Sequence, residues 1–468
     1  MPSGARLATV FAALFALLIA RQLYISVVRG PAIAARSSNP RHALLAENRG
    51  RILARDGTVL AETRHNARAY PMGRALAQTV GYASARYGTS GIEDAYDRAL
   101  TAPDSTGDAF AQAGEIAGAF SGKLSRARGK DVITTIDPSL QALLFQLLSA
   151  HRRGAGVVLD PRTGAVLAMA SVPAFNPNSF DADFASLNHD PASPLLNRAI
   201  AGLYPPGSTF KVFTAAAALD SGSATMTSEY SDPGYLVVGN FTLHNDESEV
   251  TGTQDLTGAF ALSSNVDFGQ IALKMGTDAF YTYLERWGIG QSLDFQLPAE
   301  RDHIPAKSGV YPGELAQMGF GQGALLMTPL QMALIAATIA NDGIETRPYV
   351  VRGVSRFGGG LAVDAVNGAQ LVNPISADTA HNVKNMMLAV VQHGTGTSAQ
   401  IPGVAVAGKT GTATNPGGAP HSWFVAFAPA ENPRFAVAII VENAGYGAAV
   451  AAPIARTILR AALQGVRT

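Results

Sequence analysis

A serine and a lysine three residues apart sit in the most chemically loaded stretch of the chain, YPPGSTFKVFTAAAALDSG. Pro205, Pro206 and Gly207 stop the preceding segment, and Ser208 opens an Ala-rich helix predicted to end near Gly222. On a helix this spacing is one turn, so Ser208 and Lys211 share a face. An unprotonated Lys211 can then take the serine proton during attack on a carbonyl. Burial or a neighbouring cation must destabilise the ammonium for this to work near neutral pH, and Val212 and Phe213 are placed to help bury it. The helix N-terminus favours negative charge developing beside Ser208. Alone the spacing says little, because a capping serine and a solvated lysine meet at it by chance.

Two further clusters change that balance. Ser263-Ser264-Asn265 lies between LTGAFAL and an amphipathic helix with Phe268, Ile271, Ala272 and Met275 on one face, which puts a hydroxyl and an amide on an interhelical turn. There Ser263 can relay a proton between Lys211 and a leaving amine, and Asn265 can bond Lys211 and a substrate amide. The bland reading of this cluster is a helix cap. GKTGTA, at the end of an apolar strand, offers a cation with an adjacent hydroxyl, which suits a carboxylate. Lys409 supplies positive potential to that carboxylate and to Lys211, Thr410 hydrogen-bonds the carboxylate, and Gly411 is expected to let a ligand approach the strand. A ligand along this edge can pair as an added strand, with the backbone N–H groups of Ser208 and Thr412 as an oxyanion hole. A lone KTG is otherwise only a surface strand.

The elements that must position these clusters read as α+β. A strand at Val132–Ile136 leads to a helix opening at Pro138, with Leu140, Leu143, Leu144 and Leu147 on one face. Two apolar runs then flank the turn Asp160-Pro161-Arg162-Thr163-Gly164, an antiparallel pair. Strands at Val404–Thr410, Trp423–Phe427 and Phe435–Val441, and a helix marked by Ile454, Ile458 and Leu459, close the chain. Strands from both ends flanking a helical middle predict one sheet built from the two ends and covered by helices. Upstream, Asp56-Gly57 marks a hairpin within RGRILARDGTVLAE, GTSGIEDAYDRAL forms a second unit, and the stretch from Pro103 to Lys130 reads as loops.

The chain has 468 residues with Lys plus Arg and Asp plus Glu equal at 35 each, so no net field points to nucleic acid. Zero cysteines exclude disulfides, thiolate metal sites and a cysteine nucleophile. No metal or other cofactor is expected, since the nine histidines include no H-E-x-x-H pair. Leu7 to Ala20 is an unbroken run of apolar and small residues. Extended to Val28 across Arg21 and Gln22, it reaches about 22 residues, near the roughly 20 that span a bilayer. A signal anchor is the preferred reading, and a cleaved signal peptide, with Ala34 and Ala35 near a processing site, the runner-up. Basic residues on both flanks leave the orientation open. Gly319-Phe320-Gly321-Gln322-Gly323 lacks the context of a phosphate loop and is read as a structural loop near the active site.

The order S-x-x-K, S-x-N, K-T-G resembles that of the penicillin-binding protein and serine β-lactamase superfamily. Over nearly the whole chain the resemblance is to the class B, monofunctional transpeptidases, particularly the short actinobacterial-type form. RGRILARDGTVLA is similar to that class's first N-terminal non-catalytic motif, and Gly91-Ile92-Glu93 with Leu100 to its second. VVLDPRTGAVLAMASVPAFNPN, GFGQGALLMTPLQMA and HSWFVAFAP resemble its linking segments. The resemblance implies a transpeptidase/β-lactamase-like fold, an antiparallel sheet flanked by helices. It divides the chain into a tail and transmembrane anchor (1–28), a small α+β pedestal domain (29–130) and a transpeptidase domain (131–468). It also implies Ser208 as nucleophile, Lys211 as its base, Ser263 and Asn265 as the second motif, and Lys409 with Thr410 as carboxylate anchor.

Further implications are a stem peptide ending in D-Ala-D-Ala as substrate, acylation by β-lactams, and a catalytic domain outside a membrane crossed once. The region before Asp131 is too short for a glycosyltransferase, so a separate membrane glycan polymerase is an expected partner. A role in division or growth-site wall synthesis rests on the actinobacterial likeness. The rivals are a D,D-carboxypeptidase, which cleft shape rather than motifs would decide, and a β-lactamase. For the latter Glu285, Glu300, Glu314 and Glu345 all lack the asparagine four positions on that class A enzymes carry. A β-lactam sensor or a divisome scaffold is the non-enzymatic alternative.

Overall fold

The structure is a computed structural model and describes residues 49–101, 129–355, 361–363, 367–415 and 417–465, together with Phe15, Leu18 and Arg21. Apart from those three residues, the expected membrane span 1–28 lies outside the described residues, as does most of the expected loop stretch 103–130. No described helix is long and apolar enough to cross a membrane.

Six strands form the N-terminal sheet: Ile52–Leu53 (β1), Val59–Arg64 (β2), Ala67–Ala69 (β3), Val132–Thr134 (β4), Val351–Ser355 (β7) and Leu361–Val363 (β8). Their order is β8-β7-β4-β1-β2-β3. The Asp56-Gly57 turn joins β1 to β2 as expected, with Gly57 at φ +87°. β4 forms where a strand was read, but it pairs in parallel with β1 and antiparallel with β7, so it is a member of this sheet. One buried ion cluster holds the two N-terminal motifs together. Glu93, fully buried, accepts from Arg49 Nε at 2.5 Å and Arg68 Nε at 2.6 Å, and Arg49 also reaches Asp97 at 2.6 Å.

The second sheet has five antiparallel strands: Gly154–Leu159 (β5), Val166–Val172 (β6), Ala407–Ala413 (β9), His421–Ala428 (β10) and Phe435–Val441 (β11). Their order, β9-β10-β11-β5-β6, joins the two ends of the domain as the pattern predicted. Side chains alternate between two cores, because successive residues of a strand face opposite ways. Val437, Ile439 and Val441 face one core and Ala436, Ala438 and Ile440 the other. Helices cover both faces, so β11 reads as an unbroken apolar run, each fully buried Val or Ile contributing about 1.5–3 kcal/mol.

On one face lie Pro138–Ser149 (α1), capped by Asp137 on Ser139 N and Leu140 N, and Ala451–Gly465 (α7). On the other, Pro329–Ala340 (α5) packs against β11, β10 and β5 and is buried along its whole length, as its all-round apolar sequence requires. Lys211–Asp220 (α2), Leu256–Leu262 (α3), Asn265–Arg286 (α4) and Ala377–Gln392 (α6) complete this side. α6 lies on β9, which places the KTG strand at the open edge of the sheet, between α6 and the turn that starts α2.

Candidate active site

Ser208 lies in a 3-10 turn, Gly207–Phe210, that runs directly into α2 and packs on β9. Two glycines allow this close fit. Gly321 has φ +81°, and a Cβ there would meet Gly207 O at 2.1 Å; in return Gly207 N donates to Gly321 O at 2.9 Å. The GFGQG loop is thus a brace for the Ser208 turn. A Cβ on Gly411 would meet Thr209 Cγ2 at 2.8 Å and Trp423 Cβ at 3.0 Å. The glycine thus lets β9 approach the turn carrying Ser208, a packing demand that stands beside the expectation that Gly411 lets a ligand approach the strand.

α3 ends at Ser263, which adopts a left-handed conformation at φ +65°, and Ser264 caps α4 through Asp267 N. That local geometry aims Ser263 and Asn265 at Lys211. Lys211 Nζ donates to Ser263 O at 2.5 Å, to Asn265 Oδ1 at 2.9 Å and to Ser263 Oγ at 3.2 Å. From β9, Lys409 Nζ reaches the same Ser263 Oγ at 2.8 Å and Thr410 O at 3.2 Å. Both lysines are fully buried, with Phe268 under Lys211 at 5.4 Å and Phe260 under Lys409 at 5.6 Å. The Ser208 hydroxyl, half-buried, forms no hydrogen bond among the described residues; Lys211 is turned to the Ser263 side. Such contacts in unliganded sites often tighten only with substrate.

The electrostatics suit a neutral amine at Lys211. Burial, then the adjacent Lys409, holds Lys211 well below the ordinary lysine range. Burial lowers Lys409 to about 7. Ser208, Ser263, Asn265, Thr410 and Thr412 all line one cleft of about 610 Å³, so the three clusters converge as their chemistry required. Gln317, Phe320 and Gln322 form part of its wall, which places the GFGQG loop where it was expected.

Several residues of the site gave no sequence signal that was read. Thr395 shares a hydrogen bond of 2.6 Å with the Thr410 hydroxyl; the dense HGTGT after α6 was its one available clue. Beneath Ser264 and Asn265, Asp232 Oδ2 accepts from Asn245 Nδ2 at 2.6 Å and from Ser264 Oγ and Thr251 Oγ1 at 2.7 Å each. Burial pushes the Asp232 carboxyl up, but these bonds and one from Gly234 N outweigh it and hold it low. Asn245 Oδ1 in turn accepts from Asn265 N at 2.7 Å. Asp232 and Asn245 sit in short polar ribbons between Glu229 and Asp255, where nothing in the spacing marks them.

A helix-wrapped antiparallel sheet with a serine turn, a buried lysine pair and an interhelical serine at one edge defines the penicillin-binding class of serine domain. The chain belongs to the penicillin-binding protein transpeptidase family: the family's transpeptidase domain matches residues 154–460, and a penicillin-binding protein A dimerisation domain matches 49–123. It is similar to the peptidoglycan D,D-transpeptidase PbpA of Mycolicibacterium smegmatis, at 36% identity over 497 residues covering 98% of each chain. Among solved structures, penicillin-binding protein A of M. tuberculosis as its imipenem acyl-enzyme aligns with TM-score 0.81 and 34% identity, over 90% of this chain and 99% of that one. The D,D-transpeptidase domain of a peptidoglycan glycosyltransferase from Eggerthella lenta aligns with TM-score 0.80 and 36% identity, over the same shares.

Proposed function

We propose that this chain is a peptidoglycan D,D-transpeptidase that cross-links stem peptides through an acyl-enzyme on Ser208. The observation that carries the reading is Ser263 Oγ held between two buried lysine nitrogens, at 3.2 and 2.8 Å, in the cleft that Ser208 lines. Neutral Lys211 takes the Ser208 proton as Oγ bonds to the penultimate D-Ala carbonyl carbon. The C–N bond to the terminal D-Ala then breaks, and that amine receives the proton from Lys211 through Ser263. An acceptor amine attacks the ester, and Ser208 regains a proton as it leaves.

Lys409 and Thr410 bind the terminal carboxylate, with Thr395 orienting the Thr410 hydroxyl. The backbone N–H groups of Ser208 and Thr412 form the oxyanion hole. In support, Ser208 lies in the first turn of its helix, where N–H groups lack intrahelical partners, and Gly207 packs against Thr412. β-Lactams acylate the same serine. Residues 1–28 anchor the chain in the cell membrane, 29–130 form a pedestal and 131–468 the transpeptidase domain outside the cytoplasm, with β4, β7 and β8 of the latter completing the pedestal's sheet. Support for the anchor is the run of apolar and small residues from Leu7 to Ala20, extended across Arg21 and Gln22 to Val28. A separate membrane glycan polymerase supplies the strands, and the chain serves division or growth-site synthesis. A depletion strain that lost width control while dividing normally would overturn the division role.

Mass spectrometry of the chain after brief exposure to benzylpenicillin, beside Ser208→Ala, tests the central reading. A persistent adduct on Ser208, absent in the variant, is expected. Rapid loss of adduct with hydrolysed drug would favour a β-lactamase, and no adduct on a folded chain a scaffold.

A further inference from the structure

Asp267 stands two residues beyond Asn265, in the first turn of α4, with its backbone N–H bonded to Ser264 Oγ at 2.9 Å. The residue is fully buried, and neither carboxylate oxygen has a hydrogen-bond partner among the described residues. An unpaired buried carboxylate costs stability, so a role in holding the fold does not explain it. Three titratable neighbours act on it or feel it: Lys211 from α2, and Asp232 and Tyr230 from the strand Glu229–Asp232. The Tyr230 hydroxyl is also buried without a partner among the described residues. The other titratable groups on elements packed against α4 are engaged or turned to solvent. Glu314 accepts from Ala324 N at 2.8 Å, Asp220 accepts from Tyr283 at 2.7 Å, and Glu229, Tyr235 and His244 are exposed. Among the carboxylates that favour a charged Lys211, Asp267 acts most strongly, ahead of Asp246 and Asp232.

We propose that Asp267 is a positioning residue acting through Lys211: its unpaired carboxylate is the counter-charge for the ammonium that forms when Lys211 takes the Ser208 proton. The proposal rests on Lys211 being the base. That ammonium arises beside Lys409, which already bonds Ser263 Oγ at 2.8 Å. Without a nearby negative group, proton transfer would leave two adjacent buried cations uncompensated. Burial, then the Asp232 carboxylate, raises the Asp267 carboxyl to about 6 against smaller opposing pulls from the Ser264 side chain and then Lys211, which leaves it ionised at pH 7 and above.

The test is the rate of labelling of the full chain in detergent by a fluorescent penicillin, from pH 5 to 9, for wild type, Asp267→Asn and Asp267→Glu. Loss of the negative charge in D267N lowers the Lys211 pKa further, so the acidic limb of the profile moves to lower pH. The plateau falls about tenfold, the weight of one decade in a protonation equilibrium. D267E, which keeps the charge, keeps the limb in place. An unmoved limb in folded D267N would overturn the proposal. So would a D267N chain that fails to fold, since the carboxylate would then be serving the structure. A wild-type chain that takes no label would instead sink the transpeptidase reading on which the proposal stands.

Discussion

The N-terminal sheet and the cleft each bury a cluster of charge, and they do so by opposite rules. Around Glu93 the signs alternate: both carboxylate oxygens meet guanidinium groups, of Arg49 and Arg68, and Arg49 meets Asp97 as well. Burial works against the Arg49 charge, yet Glu93 and Asp97 outweigh it and raise its pKa. In the cleft, Lys211 and Lys409 are equally buried but share a neutral hydroxyl, and no carboxylate among the described residues hydrogen-bonds either nitrogen. Their proton affinities fall accordingly. Matched charge locks one protonation state and ties two sequence motifs together. Like charge does the reverse, keeping an amine ready to accept a proton.

The contrast can be broken at several points. The largest effect is expected from Lys211→Met, which removes the base: labelling by penicillin falls by about 10³-fold, within the range for lost general-base catalysis, while the melting temperature holds or rises. A folded variant labelled at the wild-type rate would remove Lys211 from the mechanism. Next is Glu93→Gln, which removes the buried counter-charge of Arg68 and leaves Arg49 only Asp97. Denaturant unfolding should show a loss of about 3–5 kcal/mol, with the labelling rate of the remaining folded chain unchanged.

Lys409→Met makes the comparison sharpest, because the same operation should have the opposite sign. Folded Lys409 gives up its proton near 7 and an unfolded lysine near about 10.4. Between those values the unfolded chain binds more protons, so this group's contribution to stability rises with pH. Below pH 7 both states are charged and the full cost of burial is present. K409M is therefore expected to gain on the order of 1 kcal/mol at pH 6, a gain that fades toward pH 10, while labelling by a carboxylate-bearing penicillin drops. A loss of stability at pH 6 would show that Lys409 supports the fold. The smallest effect is that of Thr395→Ala, which frees the Thr410 hydroxyl and should slow labelling about fivefold, near 1 kcal/mol for one hydrogen bond.

Much of this was legible in the chain itself. β11 could be read from an unbroken apolar run because both its faces are buried, and α1 from Asp137-Pro138 before a leucine stripe. β4 was legible as a strand but not as a partner of β1, since β-branched residues report extended backbone and not the neighbour that backbone finds. In the site, Ser208, Lys211, Ser263, Asn265, Lys409 and Thr410 stood out because acyl transfer needs those residue types at short fixed spacings. Asp232, Asn245, Thr395 and Asp267 did not, because each acts on a residue far along the chain or across a helix turn, and long-range pairing leaves no period to read.

By itself the sequence determined which chemistry was available: a hydroxyl one helical turn from an amine, an amide on an interhelical turn, and a cation beside a hydroxyl on an edge strand. Only the tertiary structure decided the state of those groups. Lys211 and Lys409 meet at Ser263 Oγ although nearly two hundred positions separate them along the chain (409 − 211 = 198). Proton affinity depends on desolvation and on neighbouring charge, and both arise from which distant segments pack together. The same packing seats Gly411 against the Ser208 turn, a close fit between strand and turn that no local pattern could announce.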